Sequence, residues 1–392
     1  MTALKILPAV VACAIAAAAC GGNAAAPERS SGSAVRSPTP QAPVTSQAPV
    51  TSQPPPASAG RAPWPQHAVL SEPNALRDAN QVLDPVAHVL YALVPGASGS
   101  YVMQAVDLRT GRVRRGAVYR VSGLALAAGY LWAYGLRGND GPYVLDEISP
   151  RTLATSLRVT VPGNPGDVAA PVAGPAGSVW AGADRTLLRI SVRTGAVLAR
   201  VVLPAGLELA GLAASPDTTT LYAAAAGLKL GGAVVFEYSA STGRRLAQAA
   251  GGVLRFSVGG AFLTALPAGV WVWFRTGMLG QSGLLSVRSL SVVTGLSTAP
   301  DAGESPVTGI GTIYDWAMGS WAAYAGGALW VVTDGGLVAC VDPATGRVRE
   351  QERVTSQPIE VAADPAARQI LVVGSQGGTR VVSITPPRDC WG

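Results

Sequence analysis

Histidine is almost missing from this 392-residue chain, which has His67 and His88 alone. Only one imidazole lies in the body of the sequence, so Ser-His-Asp catalysis and histidine-rich metal sites lack their parts. Lysine is as scarce, at Lys5 and Lys229, and arginine therefore carries nearly all of the positive charge. The formal net charge of +6 falls to +5 if Lys5 is removed with a leader. The arginines are scattered at turns and strand ends without interleaved aromatics, so no nucleic-acid partner is expected. Vicinal cysteines, a Cys/His cluster, a phosphate-binding loop and a G-x-S-x-G elbow are all absent. Gly309-Ile310-Gly311 lacks the strand, third glycine and helix of a dinucleotide loop. No cofactor and no metal is expected. Charged residues make up only 13%, and the best candidate for a membrane span is the uncharged FSVGGAFLTALPAGVWVWF (256–274). Gly259, Gly260, Pro267 and Gly269 break it as a helix, which predicts two buried strands with a turn between them.

What is present begins with an export leader. After Lys5, an apolar run from Ile6 to Ala19 ends in small residues and is too short to span a bilayer. Ala17-Ala18-Ala19-Cys20-Gly21-Gly22 resembles a bacterial lipobox, although alanine stands at 17 where that family prefers leucine. The resemblance implies a signal peptide over 1–19 and lipidation (diacylglyceryl, palmitate-type) of Cys20. The chain would then be extracytoplasmic, anchored to the outer face of the cell membrane, and secreted if Cys20 stays unmodified. Residues 20–66 are rich in Pro, Ala, Ser and Thr and carry APVTSQ twice in tandem (42–53). Such a segment has too little apolar mass to offset its chain entropy and reads as a disordered, extended tether.

The remainder, 67–392, repeats. Phrases ending in an aromatic recur around Tyr91, Trp132, Trp180, Tyr222, Trp271, Trp330 and the equivalent Leu371, at intervals of 41, 48, 42, 49, 59 and 41. Spacings of this size suit a four-stranded propeller blade. The domain is therefore expected to be all-β, a seven-bladed β-propeller. Each unit opens with a small-residue strand such as GLALAAG (123–129), followed by the aromatic strand and two more. The end after Ile384 is too short for a fourth strand, and HAVLSE (67–72) is available to fill that place. Cys340 and Cys390, one unit apart in an exported chain, read as a disulfide.

CVDPATGRV (340–348) has relatives at 106–113, 191–197, 239–245 and 291–297. This copy predicts a turn between third and fourth strands, with Asp342 accepting amides and Gly346 taking a left-handed conformation. In ISPRTLA (148–154) Leu153 replaces the glycine, so the motif is scaffold and not a reused chemical group. These phrases resemble the bacterial propellers with pyrroloquinoline-quinone-like and YVTN-type repeats, whose units carry D-x-x-T-G-x-V turns. The resemblance implies the fold far more than an activity. Where quinone-dependent members carry a docking tryptophan after the turn, this chain has Arg114, Leu198 and Leu246. Streptogramin-lyase-like propellers use histidine and a metal, which this chain can hardly supply.

Asp146-Glu147 is an adjacent carboxylate pair in a strand, and its two members face opposite sides. Exposed strand charge is expected there. The longest interval contains an insertion, 297–327, with Tyr314, Asp315, Trp316 and Trp321 as candidate ligand-binding residues. The function these features point to is a non-catalytic binding or scaffolding module whose partner is an unknown envelope protein or glycan. A propeller-face lyase or hydrolase and a structural subunit of an envelope assembly are the alternatives.

Overall fold

The computed structural model describes residues 64–72, 80–96, 100–119, 123–136, 142–162, 168–227, 232–249, 261–267, 269–276, 279–286, 292–294, 322–332, 336–345, 347–354, 358–374 and 379–391. All of them belong to the compact unit Pro54–Gly392. The first strand is β1 (Gln66–Glu72). Six runs of four consecutive strands follow. They are β2 (Asn80–Asp84), β3 (Val89–Pro95), β4 (Tyr101–Asp107), β5 (Val113–Tyr119); β6 (Gly123–Ala127), β7 (Tyr130–Leu136), β8 (Tyr143–Ile148), β9 (Thr155–Val161); and β10 (Val168–Gly174), β11 (Ser178–Ala183), β12 (Thr186–Ser191), β13 (Val197–Val202). Next come β14 (Glu208–Ala214), β15 (Thr220–Gly227), β16 (Gly232–Ser239), β17 (Arg245–Ala249); β18 (Ala261–Leu266), β19 (Gly269–Thr276), β20 (Leu279–Ser286), β21 (Val292–Thr294); and β22 (Ala322–Ala325), β23 (Ala328–Val332), β24 (Leu337–Val341), β25 (Val348–Arg353). The chain ends with β26 (Pro358–Asp364), β27 (Gln369–Gly374), β28 (Thr379–Ile384) and a 3-10 turn at Arg388–Cys390.

Among the described residues these strands form seven four-stranded antiparallel sheets. The first strand of each sheet neighbours the first strand of the next, and β26 returns to β2, so the inner strands close a ring. The expectation of seven blades repeating along the chain is corrected in their construction. Six blades are contiguous, and β26–β28 gain a fourth strand only by taking β1 from the other end. Gln66 pairs with Ile384 and Glu72 with Thr379, with a bulge between Ala68 and Leu70.

Small residues dominate the inner strands because the sheets converge there: β6 reads GLALA and β14 ELAGLAA. The aromatic strands are buried, and Trp132, Trp180, Tyr222 and Trp330 have almost no accessible surface. Each packs with a neighbouring sheet or with its own. Trp132 shares a core with Val179, Ala181 and Leu188 of the following sheet. Trp180 lies with Leu209, Leu221 and Phe236, and its indole N–H donates to Ala240 O at 2.9 Å. That bond ties an aromatic strand to the next sheet's turn. The uncharged run at 256–274 contributes β18 and β19, which pair across Leu266 and Gly269 as expected. Among the described residues no helix is long and apolar enough to cross a membrane.

Candidate functional surfaces

Four of the recurring Thr-Gly segments are turns at the β4–β5, β12–β13, β16–β17 and β24–β25 connections, and Ser149–Ala154 makes the equivalent turn at β8–β9. Asp107 Oδ1 accepts the Arg109 and Thr110 amides at 2.9 and 3.0 Å. Asp342 Oδ1 accepts those of Ala344 and Thr345 at 2.8 and 3.0 Å. Ser149 and Ser191 do the same more weakly, their Oγ atoms accepting Thr152 N and Thr194 N at 3.3 Å. The threonine hydroxyl then accepts the amide two residues on, as at Thr110 and Thr345. Gly111, Gly195 and Gly243 take φ of +69°, +71° and +72°, and Gly346 lies outside the described residues. Leu153 occupies the equivalent place at φ +57°. In the copies at Asp107, Ser191 and Asp342 the Asp or Ser side chain and the threonine hydroxyl are thus engaged with the turn's own backbone. The copy at 291–297 departs from expectation. Val292–Thr294 is itself a fourth strand, β21, pairing with Leu284 and Leu285.

Asp342 also receives Arg349 Nη2 at 2.6 Å. That guanidinium, reinforced by the two turn amides, holds the Asp342 carboxyl down to about 2. Cys340 of β24 is bonded to Cys390, with Cα atoms 6.0 Å apart. The bond fastens the C-terminal turn to the sixth sheet. Around it Trp64 packs edge-on against Trp330 at 5.9 Å, and Trp391 lies 6.3 Å from the same ring.

Asp146 and Glu147 are not exposed, contrary to expectation; all six residues of β8 are buried. Arg158 explains the tolerance, donating Nε and Nη2 to the two Asp146 oxygens at 2.6 and 2.7 Å. Glu147 faces the other way and accepts Ser156 Oγ at 2.7 Å. A strand third from the axis is covered on both faces by neighbouring sheets, which alternation in sequence does not reveal.

The seam between the first and last sheets holds polar groups that the sequence reading passed over. Glu360 of β26 is buried, and its Oε1 accepts the Leu83 amide at 2.9 Å. Burial pushes its carboxyl up to about 8, against the smaller opposing effect of that amide. Gln81 of β2 is also buried, and its amide atoms find no partner among the described residues. His88 sits on the same seam with Nε2 3.4 Å from Asp364 Oδ2. Only its position after Asp84 in a turn, with φ of +55°, hints at a structural role. Among the described residues no group of three His, Cys, Asp or Glu is placed to hold a metal. The candidate ligand-binding residues Tyr314, Asp315, Trp316 and Trp321, and the candidate lipidation site Cys20, lie outside the described residues.

A ring of radially stacked four-stranded sheets defines a β-propeller. No family model matches the chain, and no curated protein matches it either. Solved structures do. BamB from Moraxella catarrhalis is similar over 80% of this chain and 85% of its own, at 14% identity and a TM-score of 0.51. The WD40 β-propeller domain of Doa1 is similar over 83% of this chain and 99% of its own, at 11% identity and a TM-score of 0.52. The chain shares their propeller fold.

Proposed function

We propose that this protein is an extracytoplasmic binding or scaffolding propeller, held to the outer face of the cell membrane through a lipid on Cys20. The observation that supports an exported location is the Cys340–Cys390 bond, since such bonds persist in oxidising compartments. The binding role is supported by how the repeat spends its polar groups. Asp107, Ser191, Asp342 and their threonine partners are consumed by turn backbone, and small apolar residues dominate inner strands such as β6 and β14. What such a ring offers a partner is a rigid platform with broad faces. The ligand class we assign is an envelope protein or glycan, and the insertion at 297–327, with Tyr314, Asp315, Trp316 and Trp321, is the candidate contact. BamB and the Doa1 domain are propellers of the same kind of scaffold, which agrees with a platform and leaves the partner open.

Crosslinking the tagged full chain in intact cells, followed by mass spectrometry, tests the role. Recovery of a defined protein or glycan, lost on replacing Trp316 and Trp321 by alanine, is the expected result. Recovery of no envelope component overturns the binding role. The mass of the mature N-terminus tests the anchor separately: a diacylglyceryl addition at Cys20 is expected, and an unmodified terminus removes it.

A further inference from the structure

The outer wall of four consecutive sheets carries charge of one sign. Their outermost strands β5, β9, β13 and β17 read VRRGAVY, TSLRVTV, VLARVV and RLAQA, with five arginines and no acidic residue. The turns leading into them add Arg109, Arg112, Arg151, Arg193 and Arg244, all exposed. The acids behind this wall are engaged or buried, and the two at the same end in the first turns, Asp84 and Asp217, each accept hydrogen bonds within their own turn. Asp107 is bound to turn amides, Asp146 is paired with Arg158, and Glu147 and Glu237 are buried. The sixth sheet shows that the pattern is local, since its outer strand VREQER carries two basic and two acidic residues.

The basic groups also share a plane. In an antiparallel four-stranded sheet the first and third turns lie at the same end, so all of these turns project from one face of the ring. Aliphatic and aromatic side chains stand exposed beside the guanidinium groups on that rim. Val197 and Leu198 follow the Arg193 turn, Leu246 follows the Arg244 turn, and Tyr130 follows the neighbouring inner turn. A soluble polyanion gains little from these apolar side chains, whereas a lipid headgroup layer takes both kinds of contact.

We propose that this rim, from the β2–β5 sheet to the β14–β17 sheet, is a docking surface for an anionic lipid membrane. The arginines meet the headgroup phosphates, and the flanking Val197, Leu198 and Leu246 enter the headgroup boundary. The surface acts independently of any acyl anchor, and its test is separate from that of the platform role.

The test uses the full chain carrying Cys20→Ser, so that no acyl chain contributes, and vesicles of phosphatidylcholine with or without phosphatidylglycerol. The apolar segment Ile6–Ala19 adheres to either vesicle, so the readout is the ratio of binding between the two. Two charge-matched variants are compared, Arg193→Glu/Arg244→Glu on the rim and Arg353→Glu/Arg380→Glu away from it, each with its thermal melt recorded. A preference for anionic vesicles that weakens with added salt is expected. The rim variant should lose at least about 25-fold of it, at about fivefold per charge, while the control stays within about twofold. Equal losses in both variants, no preference for anionic vesicles, or binding of soluble polyphosphate in place of vesicles would each overturn the proposal.

Discussion

Glu360 Oε1 accepts the Leu83 amide at 2.9 Å, joining the inner strand of the last sheet to that of the first. His88 and Asp364 meet at 3.4 Å along the same seam. Ring closure therefore rests on strand pairing at the outer edge and on titratable groups near the axis.

Glu360 should make stability depend on pH. Its carboxyl ionises near 4.5 in the unfolded chain and near 8 in the fold, so folding binds its proton more tightly. The stability this confers is complete below 4.5 and is lost progressively as pH rises to about 8. Glu360→Gln keeps an acceptor for Leu83 without the charge. Near pH 9 the variant should exceed the parent by on the order of 2–4 kcal/mol, and the two should converge near pH 5. Parallel melting curves across that range would rule the seam out as the titrating element.

Asp342 behaves in the opposite sense. Its depressed value contributes stability above 3.8 that is lost as pH falls through about 2. Asp342→Asn removes the Arg349 pair but leaves an acceptor for the turn amides, and should cost about 0.5–1 kcal/mol given partial exposure. Asp342→Ala also strips that acceptor and should cost about 1–2 kcal/mol. Urea midpoints at neutral pH measure both; equal costs would mean that the amide bonds contribute nothing.

Reducing the Cys340–Cys390 bond opens a loop with a sequence separation of 50. The chain-entropy estimate for a loop of this length is about 4 kcal/mol, an upper value. Thermal melts with and without reductant should differ accordingly. Trp391 packs against Gly326 and Trp330, so its release should shift tryptophan emission to the red. Unchanged emission would mean that packing alone holds the tail.

Leu153→Gly separates two effects. The backbone at φ +57° favours glycine, with a gain of about 1 kcal/mol. The Leu153 side chain, however, is buried beside Tyr119 and Ile148, and its loss costs about 2–3 kcal/mol. A net destabilisation of about 1–2 kcal/mol is expected in denaturant titration. A stabilised variant would show that conformation outweighs burial here.

That position also marks where sequence reading succeeded and where it stopped. The aromatic spacing made the sheets and their order legible because it repeats once per sheet, and the Thr-Gly turns marked the outer connection of four of them. HAVLSE was recognisable as a strand ahead of the first four-strand run, and it pairs with β28. Burial of Asp146 and Glu147 was not legible, because it depends on Arg158 and Ser156 lying opposite on β9. The Glu360 seam was hidden for a related reason: its partner Leu83 is 277 residues away. The basic rim escaped notice because its arginines are scattered in sequence and gather only when successive turns are stacked on one face.

The composite sheet has a consequence for how the chain is made. β1 is synthesised before every other strand of the ring, and its partner β28 only after all of them. Until then β1 has an open edge and the ring has no final sheet, so nascent or truncated chains expose pairing-competent backbone. A stop codon shortly before Thr379 should therefore yield a protease target, although most of the ring would already have been translated.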